Sequence, residues 1–275
     1  MVQRIESPKE VFPSNIVVLA THGGYFVPDS VRRKLSDKIT ALGLRGVKNF
    51  SDFGSRWVVK DVPNDQKVVA GFSRAIGDPN RSLDAPDLFR DTDFNGNQVW
   101  ETPLTDHEKT QLLEGHYKKY HSAVLNAIES AESTSQRVIV FDVHDTGNLM
   151  LATDPNNDTE RAEAFPSICL GNKDGESCDP AIMNDFASLI EKHLGITPLL
   201  NHPYKGGYVT SKYGKEYNDS LPLDERFKRN VIQVELGRYL YMDEKTQKID
   251  FKKLQSIKSG LNAAMKELGE KYDEE

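Results

Sequence analysis

Arg137–His144 reads RVIVFDVH, and this run decides the fold class. Its near-continuous apolar residues suit a strand buried on both faces, as in a sheet with helices on either side. Four further runs share its β-branched character: Asn15–His22 (NIVVLATH), Lys67–Arg74 (KVVAGFSR), Pro166–Leu170 (PSICL) and Asn230–Leu236 (NVIQVEL). Helical patterns lie between them. The clearest spans about Thr105 to Glu132, where Thr105 and Glu108 have capping-box spacing. There Leu113, Tyr117, Tyr120, Val124 and Ile128 form a stripe at steps of three and four. Two more are expected, at about Pro180–Leu194 and Asp250–Tyr272. Strands alternating with helices predict an α/β layered fold.

Around this frame, three stretches rich in Gly, Pro, Asn and Asp read as long loops: Asp78–Asn97, Asp145–Arg161 and Asn201–Leu223. Loops of that length in a compact domain usually line a functional site. No linker, repeat or low-complexity tract divides the chain, so residues 1–275 are expected to form one domain. With 275 residues and 37% apolar content there is material for a substantial core. A formal net charge of -7 argues against non-specific nucleic-acid binding, because phosphates would be repelled. It still allows a basic pocket for a small anionic substrate. Only Cys169 and Cys178 are available as thiols, too few for a disulfide scaffold. Neither a signal peptide nor a membrane-spanning run is evident, and the expectation is a soluble cytoplasmic protein.

The chemistry concentrates at strand ends. His22, His144 and Glu235 each sit at or near the C-terminal end of an apolar strand, the edge at which open α/β sheets collect ligands. Singly, a histidine there is most often a packed or solvated residue. Two at equivalent strand ends, with a glutamate at a third, match the donor set of a catalytic zinc site with an open water position. The residues leave the last metal ligand open. The residue three after His22 is Tyr25, so the His-x-x-Glu spacing of many zinc peptidases is absent, and Asp29, Asp52 and Asp61 are the nearby carboxylates. Asp52 also reads as a helix cap.

Two loops add polar groups. In FSRAIGDPNRS, Arg74 is expected to end a strand, and Asn80 and Arg81 follow a turn on Gly77, Asp78 and Pro79. Arg74 and Arg81 are candidates to hold a substrate carboxylate and a developing oxyanion separately, since arginine stays charged and binds carboxylates through two parallel hydrogen bonds. Surface salt bridging is the plainer reading of such a pair. In NHPYKGGYVTSKYG, Lys205 offers positive charge and Tyr208 a hydroxyl, beside a tight Gly206-Gly207 turn that also reads as a simple hairpin. His116 and His121, five apart on a helix, cannot share one metal face.

Six segments, in order, resemble the N-formylglutamate amidohydrolase family: THGG at Thr21–Gly24, SRAIGDPNR at Ser73–Arg81, YKKYHSAVLNAI at Tyr117–Ile128, VFDVHDTG at Val140–Gly147, NHPYKGGYVT at Asn201–Thr210 and QVELGRYLYMDE at Gln233–Glu244. The resemblance implies a zinc-carboxypeptidase-like three-layer α/β/α sandwich with a mixed central sheet. It implies one zinc ion per chain on His22, Asp52 and His144, with Glu235 as the catalytic glutamate. Arg74, Asn80 and Arg81 match substrate-binding residues of the related carboxypeptidases. Asp142 is a candidate partner for His144. The chain departs from the family at Asp145, where a serine is more usual, and this bears on substrate identity. The implied activity is hydrolysis of an N-formyl or short N-acyl amino acid. A carboxypeptidase or deacylase acting on another carboxylate-bearing amide, and a non-catalytic binding protein on the same fold, are the competing classes.

Overall fold

The computed structural model describes residues 11–41, 50–52, 54–93, 96–147, 149–153, 160–164, 166–243, 246 and 248–273. The run that opens the sequence reading is strand β3, Val138–Thr146, at the centre of a six-stranded sheet of order β2-β1-β3-β8-β6-β7. The other strands are β1 (Ile16–Ala20), β2 (Lys67–Val69), β6 (Ile168–Gly171), β7 (Leu199–Leu200) and β8 (Arg229–Gly237). Strands β2, β1, β3 and β8 pair in parallel, whereas β6 runs antiparallel to β8 and parallel to β7. The sheet is therefore mixed, as expected. Strands β4 (Leu149–Thr153) and β5 (Glu160–Ala164) form a separate antiparallel pair, the first of them and the start of the second falling within Asp145–Arg161, where a loop is expected.

Residue parity divides the core in two. Ile139, Phe141 and Val143 of β3, with Ile232, Val234 and Leu236 of β8, face one hydrophobic cluster. Helix α3 (Pro180–Leu194) supplies Ile182, Met183, Phe186 and Ile190 to that cluster. Helix α4 (Phe251–Asp273) adds Leu254, Ile257, Leu261, Met265 and Leu268. Val138, Val140 and Val231 point the other way, into a second cluster. Helix α1 (Asp106–Leu112) and helix α2 (Lys118–Glu132) cover it through Leu112, Tyr120, Val124 and Ile128. Helices thus lie on both faces, which is why β3 must be apolar at successive positions and not at alternate ones.

The long helix predicted from Thr105 to Glu132 is present with its capping box, but a π-helical turn at Leu113–Tyr117 interrupts it. A second difference affects the site. Strand β2 ends at Val69, and Arg74 opens a 3-10 turn, Arg74–Ile76, capped by the Ser73 hydroxyl. Gly71 and the hydroxyl cap break the ladder before Arg74, so Arg74 belongs to the loop beyond the strand. Cys169 and Cys178 are both buried free thiols. Among the described residues, no helix is long and apolar enough to cross a membrane.

Candidate active site

The parity that fills the second cluster with Val138 and Val140 continues up β3 to Asp142 and His144, and up β8 to Gln233 and Glu235. Where the apolar residues stop, polar side chains occupy the same face. Register places His144 directly opposite Glu235, and Glu235 opposite Cys169, in one row across β3, β8 and β6. Beyond β1, Thr21 and His22 join from the other side. Strand order reverses between β1 and β3, because the chain first adds β2 outside β1 and then returns to the far side. Such a switch point is where open α/β sheets form a crevice at the carboxyl ends of their strands.

His22, Asp52 and His144 converge there, buried, with one potential ligand atom from each all within 4.8 Å of one another. Asp52 Oδ2 lies 2.7 Å from His144 Nδ1 and 3.3 Å from His22 Nδ1. Each imidazole is fixed from behind by a second buried carboxylate. His22 Nε2 meets Asp78 Oδ1 at 2.7 Å, and His144 Nε2 meets Asp142 Oδ2 at 2.9 Å. With the proton held on Nε2, both Nδ1 lone pairs point into the space shared with Asp52, and the carboxylate–imidazole pairing raises their basicity. The outer carboxylates are anchored in turn. Asp142 accepts from the Thr21 hydroxyl, which contacts the Tyr120 hydroxyl at 2.8 Å. Asp78 accepts from Arg74 Nε at 2.9 Å and from the Asn80 backbone N–H at 2.9 Å.

The charge balance of this pocket favours a cation. Arg74 offsets Asp78 and Arg238 offsets Asp145, which leaves Asp52 and Asp142 as buried carboxylates beside two imidazoles. Burial opposes the ionised form of Asp52, yet the charges and hydrogen bonds of His22 and His144 hold its carboxyl well below the usual range. For Asp78, Arg74 and His22 likewise overcome burial and lower it. His144 shows the converse: burial favours the neutral ring, but Asp142, Asp52 and Glu235 raise its pKa well above the ordinary histidine value. Burial pushes Glu235 up to about 8; His144 opposes this shift, and Asp52, Asp145 and Asp142 reinforce it. Two nitrogens and one carboxylate oxygen on such a background fit a divalent metal that takes N and O ligands.

Glu235 is oriented by its strand neighbour. Gln233 Nε2 donates to Glu235 Oε1 at 3.0 Å, and Gln233 Oε1 accepts from the Gly207 N–H at 2.7 Å. Gly207 lies against Asn80, so that a Cβ on it would fall 2.3 Å from the Asn80 amide nitrogen. Asn80 Oδ1 accepts from the Val209 N–H at 2.9 Å. Asn80 therefore joins the two glycine-containing loops beside the triad. Arg74, buried, faces Asp78 and stands 4.0 Å from Asp52 Oδ1. The remaining candidates lie further out. Arg81 pairs with Asp87 at 2.7 Å and is partly exposed. Lys205 pairs with Asp174 at 2.8 Å, its side chain 60% exposed. Tyr208 opens a short helix, Tyr208–Thr210, and accepts from Lys212 Nζ at 3.2 Å. Asp29 and Asp61, the alternative carboxylates near His22 in sequence, pair with Arg32 and Lys258 instead.

Asp78 is not among the site residues expected from the sequence. Asp78 sits in a Gly-Asp-Pro-Asn turn, where an aspartate ordinarily reads as a turn former. Its pairing with His22 gives no local signal.

Several known proteins have related sequences or folds. Two curated relatives, the N-formylglutamate deformylases of Pseudomonas aeruginosa and Pseudomonas putida, are each 24% identical over 187 residues. That stretch spans 64% of this chain and 64% of the length of each relative. A crystal structure of N-formylglutamate amidohydrolase from Ralstonia eutropha JMP134 superposes with a TM-score of 0.72 at 23% identity, covering 96% of this chain and 94% of that one. A gene product of Agrobacterium tumefaciens superposes with a TM-score of 0.66 at 15% identity, covering 92% and 90%. At these identities the two structures speak for the fold. The model of the N-formylglutamate amidohydrolase family matches residues 14–242, most of the sequence, and the chain therefore belongs to that family.

Proposed function

We propose that this protein is a zinc-dependent amidohydrolase that cleaves the formamide bond of an N-formyl amino acid, N-formylglutamate being the first substrate to test. The observation that carries the reading is the pair of imidazole Nδ1 atoms, each backed by a buried carboxylate, facing Asp52 with Glu235 in the next strand opposite His144. The names of the curated relatives support the substrate.

His22, Asp52 and His144 would hold the zinc, which when bound supplies Lewis acidity, polarising the formyl carbonyl and lowering the pKa of water toward roughly 7. Glu235 accepts the proton of the attacking water and returns it to the departing nitrogen, so one carboxyl serves as base and then acid. Without metal, burial lifts that carboxyl to about 8, and a bound cation beside it would favour the ionised form that a base needs. Arg74 carries a guanidinium pinned by Asp78 and fixed close to Asp52, so its charge is preorganised for the oxyanion of the tetrahedral intermediate. Arg81, seconded by Asn80 and Lys205, is assigned the amino-acid carboxylate, with Tyr208 at the same margin. For Arg81 this requires exchanging its contact with Asp87, a partly exposed pair that water screens.

The test is metal analysis of the purified protein together with a hydrolysis panel of N-formyl, N-acetyl and longer N-acyl amino acids. The expected result is about one zinc per chain and turnover highest on an N-formyl substrate. Turnover confined to longer acyl or peptide substrates would favour a deacylase or carboxypeptidase, and metal binding without turnover a binding protein.

A further inference from the structure

Asp52 lies on a loop, between Ser51 and Gly54, with no strand to fix it. A carboxylate ligand on a loop needs supports that set its direction. It is tied to the turn that follows β1 by the Asp52 N–H to His22 carbonyl bond at 2.9 Å and by the Ser51 hydroxyl on the Gly24 carbonyl at 2.5 Å. A second set of contacts comes from the ends of β3 and β8. Asp145, fully buried, follows His144 directly. It pairs with Arg238 Nε, and its Oδ2 accepts from the Tyr241 hydroxyl at 3.0 Å and from the Ser55 N–H at 3.0 Å. Arg238 Nη2 then donates to the Ser51 carbonyl at 2.8 Å and stands 3.8 Å from Asp52 Oδ1. Gly54 rests on this group so closely that a Cβ there would fall 2.3 Å from the Tyr241 hydroxyl and 2.6 Å from Asp145 Oδ2.

The two oxygens of Asp52 are thus treated differently. Oδ1 looks toward the guanidiniums of Arg238 and Arg74, and Oδ2 toward the two imidazoles. We propose that Asp145, Arg238 and Tyr241 form a clamp that positions Asp52, and that Asp145 is its anchor and a determinant of metal affinity. Asp145 meets its partners in Arg238 and Tyr241, and its effect falls on the metal side of the site. This inference rests on the assignment of His22, Asp52 and His144 as metal ligands.

The experiment measures the zinc dissociation constant of the full-length protein by competition with a chromophoric chelator at 25 °C, for wild type, Asp145→Asn and Tyr241→Phe. Melting temperatures of the metal-free proteins are recorded alongside. Asp145→Asn is expected to weaken zinc about 10- to 100-fold, the usual loss when a group orienting a ligand is removed. Tyr241→Phe, which keeps the buried ring and removes one hydrogen bond, should weaken it by about 3- to 10-fold, as expected for one ordinary hydrogen bond. A merely structural role predicts lower melting temperatures with zinc affinity unchanged in the folded protein. Affinities within about threefold of wild type overturn the clamp. Should Asp145→Asn fail to fold, Tyr241→Phe alone decides. Wild-type protein that binds no zinc overturns the ligand assignment itself, a result distinct from a variant that binds as wild type does.

Discussion

Replacing Asp142 by asparagine tests the claim that the outer carboxylates make the metal site. Asp142 is fully buried, holds His144 Nε2 at 2.9 Å and receives the Thr21 hydroxyl on its other oxygen. Asparagine has the same shape but one donor end. If its carbonyl faces His144, the amine meets Thr21 Oγ1, and that hydroxyl must then turn toward Tyr120. If its amine faces His144, Nε2 must accept, which puts the ring proton on Nδ1 and aims it at the space shared with Asp52. The first arrangement loses the charge on a hydrogen bond, and the second blocks the ligand nitrogen. Hydrogen bonds to charged groups contribute about 1.5–3 kcal/mol, and at roughly 1.4 kcal/mol per decade this is about a 10- to 150-fold loss of zinc affinity. Chelator competition near neutral pH reads it, with circular dichroism as the check on folding. A folded Asp142→Asn protein that binds zinc within threefold of wild type would refute the argument that the buried acid sets the tautomer.

Three further outcomes are expected. Glu235→Gln should retain zinc and lose about 10²–10⁴ in kcat, because the amide cannot accept the water proton; turnover within a factor of three of wild type would remove Glu235 as the base. Arg81→Lys should lose about 10- to 150-fold in kcat/KM on an N-formyl amino acid, through loss of a charge-assisted contact, and little on its amide; equal losses on both would assign Arg81 another role. Stability of the metal-free protein should fall as pH rises from about 6.5. His144 has a raised folded value, so its contribution is complete below the unfolded value of about 6.5 and is lost as pH climbs through the folded one. Glu235, raised to about 8, acts in the same direction, since the unfolded chain gives up that proton more readily. Zinc should flatten the dependence by binding the neutral ring. Thermal melts from pH 6 to 9 with and without chelator make the comparison, and a metal-free protein with a level profile would contradict it.

Much of the frame is legible in the residues because it depends on short-range rules. Burial on both faces leaves an unbroken apolar run at Val138–Phe141, and the capping box marks the start of α1. A polar residue closing an apolar strand marks His144 and Glu235 as facing a cleft. What spacing cannot show is which distant side chain meets which. Asp52 was one of three acids near His22, and only the tertiary contacts separate it from Asp29 and Asp61. The hidden partners are of the same kind: Asp78 reaches His22 from another loop, and Asp145 reaches Arg238 from another strand. KVVAGFSR has the β-branched character of a strand and so places Arg74 at a strand end, but Gly71 and the Ser73 cap stop the ladder at Val69. The π-helical turn at Leu113–Tyr117 has no signature in a stripe whose steps of three and four suit an ordinary helix.

The reversal of strand order between β1 and β3 also governs when the site can exist. Strand β1 leaves the ribosome first, yet its partner on the ligand side is β3, which begins only at Val138. At about 5–20 residues per second, His22 waits on the order of 10 s for His144. Glu235 follows later still, on β8, and closes the row. Because these contacts are remote in sequence, their loop entropy is lost before they return any stability, so the crevice forms as part of global folding and not ahead of it. A nascent chain that ends before residue 144 can bring His22 to neither His144 nor Glu235. On the proposed function, loading with metal would thus be an event of the finished fold, and stripping and refilling the site should leave the sheet standing.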